Sequence, residues 1–312
     1  MAAEVGAAVR GRYDSVALTA AITGGDTLPS QSPHIPRGAE AIIAEAVKAA
    51  TAGATCVHLH ARDADGKPTS SGTVFERMAR GIREQCDVVL SFSTGGALGM
   101  SVEERLEGMH AGRPEIATLN LGTMNYEGYP SPERWPKVSA DWERKVLERS
   151  GEGVFVNTLK TIRTFAAAMR QLGVTPELEA YDLGHLSMAR FLIDEGTLAP
   201  PVRVQLVLGV LGGAGSSLDD LFLLKQAAHR LLGRDLGSLG VAAMGYPMEF
   251  RHVAVALSEG MDCRVGLEDS LRLRRSVLAT SNAELVGVAV QLAELVGRPI
   301  ASPAEFRKSL LP

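Results

Sequence analysis

Nowhere in the 312 residues does an apolar run reach about 18 residues, the length that a membrane-spanning helix requires. Cysteine is scarce. Cys56, Cys86 and Cys263 are odd in number, widely separated and without Cys-x-x-Cys spacing, which argues against a disulfide framework and a thiolate zinc site. They read as core thiols in a reducing compartment. Aromatic residues make up only 5%, no basic run occurs, and Lys+Arg 32 against Asp+Glu 36 leaves a formal charge of -4. Nothing in this recommends nucleic acid as a partner. Residues 1–12 hold small residues and Glu4 but no apolar leader core, so a cytoplasmic protein is expected. What is present is an ordinary globular composition, 46% hydrophobic and 22% charged, enough for a sizeable core. We expect one domain over 1–312, with 1–12 as an N-terminal extension.

The chain is organised around Val57-His58-Leu59-His60-Ala61-Arg62-Asp63. On a strand, successive side chains alternate, so His58 and His60 share one face while Val57, Leu59 and Ala61 take the other. Two imidazoles converging from one backbone suit a metal ion. Alone, His-x-His favours the plainer reading of one surface histidine and one hydrogen-bonded histidine.

Along the chain, strand-like apolar runs alternate with helix-length segments and no low-complexity linker intervenes. Strands are expected at 15–22, 55–61, 87–93, 115–120, 177–181, 202–208, 238–244 and 261–268. Helices are expected near 38–51, 73–84, 102–111, 158–172, 186–195, 250–258 and 283–296. The stretch 124–138, with three prolines, reads as a long loop over something. Eight strands alternating with helices predict a (β/α)8 TIM barrel, because parallel strands need helical crossovers and closure removes both sheet edges. A doubly wound open sheet has the same alternation.

A barrel collects its polar residues at the carboxyl ends of its strands. Here those ends carry Asp26, His58 and His60, Ser91 with Ser93 and Thr94, Thr118 and Asn120, Glu177 and Glu179, and Arg264 with Glu268 and Asp269. Arg264, Gly266 and Glu268 share a face by the period of two. In a closed barrel strand eight flanks strand one, so Glu268 comes within reach of a metal held by the histidines. Two His and one Glu leave a coordination position open, the pattern of catalytic rather than structural zinc. A carboxylate paired with Arg264 for stability stands as an equal alternative for Glu268. Lining a pocket and balancing charge are equally open for Glu177 and Glu179. For 209–215, a glycine-rich approach to a phosphate and a simple βα turn are likewise both open.

Taken together, Ile22-Thr23-Gly24-Gly25, His58-Leu59-His60-Ala61-Arg62-Asp63, Ser93-Thr94-Gly95-Gly96, Leu119-Asn120-Leu121-Gly122, Pro176-Glu177-Leu178-Glu179, Arg264-Val265-Gly266-Leu267-Glu268-Asp269 and Ser281-Asn282-Ala283-Glu284-Leu285-Val286 run in order over nearly the whole chain. They resemble the β-keto acid cleavage enzymes, whose type member cleaves 3-keto-5-aminohexanoate. The resemblance implies a TIM barrel with bound Zn2+. It also implies a reaction in which a β-keto acid and acetyl-CoA give acetoacetate and a new acyl-CoA. The implied metal ligands are His58, His60 and Glu268, and the catalytic pair is Arg264 with Asp269. Substrate contacts are implied near Ser93 or Thr94, Thr118 and Asn120. Relatives suggest a homotetramer.

The residue types suit this chemistry on their own. A metal ion at the His pair acidifies the carbon between a keto group and a carboxylate, and Asp269 beside Arg264 suits the base. No protein nucleophile is needed, so the unremarkable cysteines raise no objection. Two departures from the family pattern stand out. Asp26 replaces a glutamate that meets the substrate amino group in the type member, which directs attention to cationic and small polar side chains. Gly245-Tyr246-Pro247 stands where the family often carries Gly-Arg. Other readings are a zinc-dependent barrel aldolase or hydrolase that ignores CoA, and a barrel that merely stores or senses metal.

Overall fold

The protein is described by a computed structural model covering residues 15–310, Leu98 and Ser139 excepted. The expected extension at 1–12 lies outside the described residues. Eight strands, β1 (Leu18–Ala21), β2 (Cys56–Leu59), β3 (Val89–Phe92), β4 (Ile116–Asn120), β5 (Thr175–Ala180), β6 (Val202–Leu208), β7 (Leu236–Ala243) and β8 (Asp262–Val265), form a closed barrel. Each pairs in parallel with its sequence neighbours, and β8 returns to β1 with Thr19 opposite Arg264. The expected (β/α)8 TIM barrel is what forms.

The helices that follow the strands are α1 (Gly38–Thr51), α2 (Gly72–Arg83), α3 (Val102–Gly112), α4 (Leu159–Leu172), α5 (Leu183–Asp194), α6 (Leu218–Leu232), α7 (Met248–Ser258) and α8 (Asn282–Leu295). Their starts follow capping chemistry. Ser101, Thr158, Asp182, Ser217 and Ser281 each accept a hydrogen bond from a first-turn backbone N–H, and Ser101 with Glu104 makes a reciprocal box. Short additional helices occupy Asp141–Glu148 and Pro303–Leu310.

Strand residues alternate as the pleat requires. Val57, Leu59, Leu90, Phe92, Leu119 and Val265 face the helices and join the main core, while Cys56, Val89 and Ile116 point inward and are capped from below by Phe306. Above that floor, Arg203 spans Glu177 at 2.9 Å and Asp262 at 3.1 Å. Among the described residues, apolar packing and a buried ion cluster therefore fill the barrel interior below the site.

Three local expectations change. Strand eight stops at Val265 instead of reaching 268, because the chain turns at Gly266, whose φ is +150°. A Cβ there would lie 2.1 Å from the Ala21 carbonyl oxygen, so only glycine lets the turn press on β1. Helix α6, for which no range was expected, begins at the Ser217 cap with Asp219 and Asp220 in its first turn. The loop at 124–138 is not wholly irregular, since Met124–Asn125 pairs antiparallel with Val154–Phe155.

Candidate active site

Strand β2 delivers His58 into the barrel mouth, and His60 follows just past its end. Their Nε2 atoms lie 3.7 and 3.6 Å from the same Glu268 oxygen, Oε2. That oxygen is buried and has no hydrogen-bond partner. One donor atom from each of His58, His60 and Glu268 falls within 4.8 Å of the others. An unpartnered carboxylate oxygen facing two imidazole nitrogens is the donor set of a divalent cation such as zinc, with positions left for a ligand. Burial pushes His58 down to about 3, which keeps its imidazole neutral and able to ligate. Its Nδ1 lies 3.1 Å from Ser91 Oγ, so the tautomer with Nδ1 donating to Ser91 leaves the Nε2 lone pair facing the cluster.

The approach of Glu268 depends on its neighbours having no side chain. A Cβ on Gly24 would sit 2.8 Å from Glu268 Cγ, and one on Gly25 3.2 Å from His60 Nδ1. The loop carrying this glycine pair is held by Arg62. Its fully buried guanidinium donates to the carbonyls of Thr23, Gly24, Thr27 and Gly66. The arginine that follows the His pair in sequence is thus a clamp on the β1 loop. On the other side, Asn282 accepts from Leu267 N–H at 3.0 Å and donates to the Ile22 carbonyl at 3.2 Å, tying the turn after β8 to the end of β1.

Arg264 lies across this cluster. It donates to Asp269 through Nε at 2.9 Å and through Nη2 at 2.5 Å, and Nη2 also reaches Glu268 at 3.0 Å. The Asp269 side chain has no exposed surface. One guanidinium faces two carboxylates with different outcomes. Burial acts to raise both and Arg264 to lower both; Glu268 is held well below the usual carboxylate range, whereas at Asp269 burial prevails and the carboxyl is pushed up to about 6. Behind them Glu249, almost fully buried, accepts from Gly266 N–H at 2.9 Å, and burial holds its carboxyl well above the usual range.

The pocket above the cluster measures about 140 Å3. Of the residues expected from sequence, Asp26, His58, His60, Ser93, Asn120, Arg264 and Glu268 line it. Thr94 and Thr118 do not. They are buried and bond each other, Thr94 N–H to Thr118 Oγ1 at 3.1 Å and Thr94 Oγ1 to the Thr118 carbonyl at 2.6 Å, which links the ends of β3 and β4. Asp269 stands behind Arg264 and lines the adjoining groove.

Glu177 and Glu179, two residues apart on β5, separate into different layers. Glu177 belongs to the floor with Arg203. Glu179 lines the pocket, accepts from Tyr181 OH at 3.2 Å, and lies 3.7 Å from Arg264. Burial pushes Glu179 up to about 7, against the pull of Arg264. Tyr126, from the expected long loop, donates to Asp26 at 2.7 Å, and Tyr129 OH donates to the Asp26 carbonyl at 2.5 Å. No spacing signal in the sequence marks Tyr126, although the aromatic richness of its loop did. The 209–215 segment packs closely against backbone, since a Cβ on Gly212 would overlap the Asn125 carbonyl. It contributes Val210 to the pocket wall.

A family model described as beta-keto acid cleavage enzyme matches residues 15–311. The chain belongs to this family. It is 40% identical over 298 residues to the 3,5-dioxohexanoate:acetyl-CoA acetone transferase of Paraburkholderia graminis, with 95% of each chain covered. It is 36% identical over 299 residues to the 3-keto-5-aminohexanoate cleavage enzyme of Acetoanaerobium sticklandii, covering 95% of this chain and 98% of that one. Among solved structures, ObcA in a binary complex with oxaloacetate superposes with a TM-score of 0.71 at 21% identity. The match covers 89% of this chain and 67% of that one and concerns the fold. The resemblance expected from the motifs is borne out, one of the two relatives being by its name an acetone transferase between 3,5-dioxohexanoate and acetyl-CoA and the other a cleavage enzyme for a keto acid.

Proposed function

We propose that this protein is a zinc-dependent β-keto acid cleavage enzyme that transfers an acyl group between a β-keto acid and acetyl-CoA. The observation that carries the reading is the convergence, at the carboxyl end of one barrel, of two imidazoles, an unpartnered carboxylate oxygen, and a buried Arg–Asp pair. His58, His60 and Glu268 would hold the metal ion. A metal ion there would supply Lewis acidity, which would acidify the carbon between a keto group and a carboxylate. Asp269, kept in place by Arg264, removes that proton, and its raised pKa suits a base near neutral pH. The resulting carbanion attacks the thioester carbonyl of acetyl-CoA, and the thiolate leaves. The thiolate then adds to the original keto carbon, the bond to the central carbon breaks, and the proton returns to that carbon. Acetoacetate and a new acyl-CoA are released, with all atoms accounted for. Ser93 and Asn120 are the contacts for the acid's oxygens, while Thr94 and Thr118 hold the loop that presents Ser93.

The far wall of the pocket is apolar, with Met124, Phe155, Val207, Val210 and Met244, apart from the Asp26–Tyr126 pair. This favours a β-keto acid whose tail is small and uncharged or carries one polar atom, because one Asp26 oxygen is already engaged. Tyr126→Phe should free that oxygen and raise the preference for cationic over neutral tails about tenfold, the worth of one charge-assisted hydrogen bond. Competition between matched β-keto acids measures the ratio, and an unchanged ratio refutes this role.

In the same reading residues 1–312, with 1–12 as an extension, make one catalytic domain of a cytoplasmic homotetramer, and the apolar side chains exposed along α5 and α6, Phe191 and Leu223 among them, support the assembly. Light scattering gives the assembly. The decisive experiment for the reaction is a panel of β-keto acids incubated with and without acetyl-CoA, with acetoacetate as the readout. Formation only with acetyl-CoA supports the proposal. Turnover that ignores acetyl-CoA identifies instead an aldolase or hydrolase on the same site.

A further inference from the structure

The turn after β8 leads into a hairpin of two short antiparallel strands, Arg272–Arg274 and Val277–Leu278, which stands at the mouth of the barrel. Arg272, Arg274 and Arg275 are all exposed on it. Among the described residues none of the three pairs with a carboxylate, and Arg272 donates only to the Arg275 carbonyl, at 3.3 Å. Some surface arginines hold a carboxylate, Arg77, Arg163 and Arg307 at 2.6–2.8 Å, and others such as Arg80 and Arg251 do not, so what sets the hairpin apart is the clustering of three. In a chain with four more acidic than basic side chains, three unpaired guanidinium groups within four residues make a local positive patch.

A groove of about 430 Å3 runs from this patch to the reaction centre. Arg272, Ser270, Tyr246, Tyr129 and Glu268 line it, and Arg274 and Arg275 stand on the hairpin beyond its lining. It meets the smaller pocket at Asp26, Tyr126 and Glu268. A small β-keto acid is accommodated by the inner pocket alone. The groove has the shape of a path for a second, longer reactant that must bring its thioester carbonyl to the pocket beside Glu268.

We propose that the groove is the channel for coenzyme A and that Arg272, Arg274 and Arg275 dock its phosphates. The thioester lies beside Glu268, the pantetheine arm passes Ser270, Tyr129 and Tyr246, and the nucleotide phosphates meet the guanidinium groups, whose planar forks suit phosphate oxygens. Rigid placement of Arg272 close behind Asp269 in the chain couples capture of the phosphates to placement of the acetyl group. The inference rests on the reading of acetyl-CoA as co-substrate.

Two measurements on the full-length protein test it. The first is binding of adenosine 3′,5′-bisphosphate by calorimetry, which needs no turnover. The parent protein should bind it, more weakly as salt rises, and Arg272→Ala/Arg274→Ala/Arg275→Ala should weaken binding at least tenfold. The second is the ratio of kcat/KM for acetyl-CoA to that for acetylpantetheine, which lacks the phosphates. The parent should prefer acetyl-CoA at least tenfold and the triple variant should have lost that preference, whereas structural damage would lower both values together. Absence of bisphosphate binding to the parent, or equal binding to the triple variant, overturns the dock. Bisphosphate binding at the hairpin without any thioester turnover leaves the dock standing and overturns the co-substrate reading instead.

Discussion

At the scale of single residues, the site is a set of side chains whose protonation is decided by what surrounds them. Ser91 is the plainest case: its hydroxyl fixes the His58 ring through Nδ1, so Ser91→Ala should lower metal affinity about 10–100-fold. Chelator competition measures it, and an unchanged affinity removes Ser91 from the site. Glu179 makes a sharper test. Its carboxyl is raised from 4.5 to about 7, first by burial and then by Glu177 and Glu268, with Arg264 and Tyr181 acting in the opposite direction. Between those two values the unfolded chain has released this proton and the folded chain keeps it. The folded state therefore binds more protons, and stability falls as pH rises from about 4.5 to about 7. In metal-free protein, Glu179→Gln should flatten that fall by an amount on the order of 2–3 kcal/mol, read from urea titrations across this range. An identical pH profile in the variant would place Glu179 outside this balance.

At the scale of elements, the catalytic groups are delivered by the ends of strands and held by neighbours distant in sequence. Strand β8 is only four residues long, and its functional output comes from the turn that follows. Glu249 from α7 accepts the Gly266 N–H, Asn282 from α8 accepts the Leu267 N–H, and the Glu268 N–H donates to the Ala21 carbonyl at 3.2 Å. Three elements thus orient one turn, and that turn carries both Glu268 and Asp269. Gly266→Ala would force a methyl group into the Ala21 backbone at a φ that L residues avoid. We expect a loss of about 2–3 kcal/mol, visible as a lowered Tm, together with lost metal binding. A variant of parental Tm that still binds metal would show that the turn has freedom the contacts deny. The period of two made His58 and His60 legible on β2, and the same reasoning placed Glu268 on the inner face. That it arrives by a turn was hidden, because the turn is enforced by a backbone contact between β8 and β1.

At the scale of the molecule, barrel closure is what assembles the site. His58 and Glu268 are 210 positions apart and meet because β1 pairs with β2 on one side and with β8 on the other. A metal ion bound by these ligands binds the folded state alone, so it should stabilise the whole protein. Zinc at about 100 times its Kd is worth about 2.7 kcal/mol, which should raise the Tm of the parent and leave that of His58→Ala unmoved. Differential scanning calorimetry after chelation and after adding zinc back measures both. Equal shifts in the two proteins would locate the ion elsewhere. Among the described residues no helix is long and apolar enough to cross a membrane.

By itself the sequence determined the alternation of strands and helices and the gathering of polar residues at strand ends, which follow from local periodicity. That pattern left a closed barrel and an open sheet both standing, and the convergent His-His-Glu, Arg and Asp groups came from the family resemblance carried by the motifs. Only the tertiary structure decided that Glu177 belongs to the floor and Glu179 to the pocket, that Arg62 clamps a loop, that Thr94 and Thr118 bond each other, and that Tyr126 covers Asp26. Each of those depends on which neighbour lies across the barrel or under a loop. That proximity arises from chain closure over tens to hundreds of residues, and no local pattern encodes it.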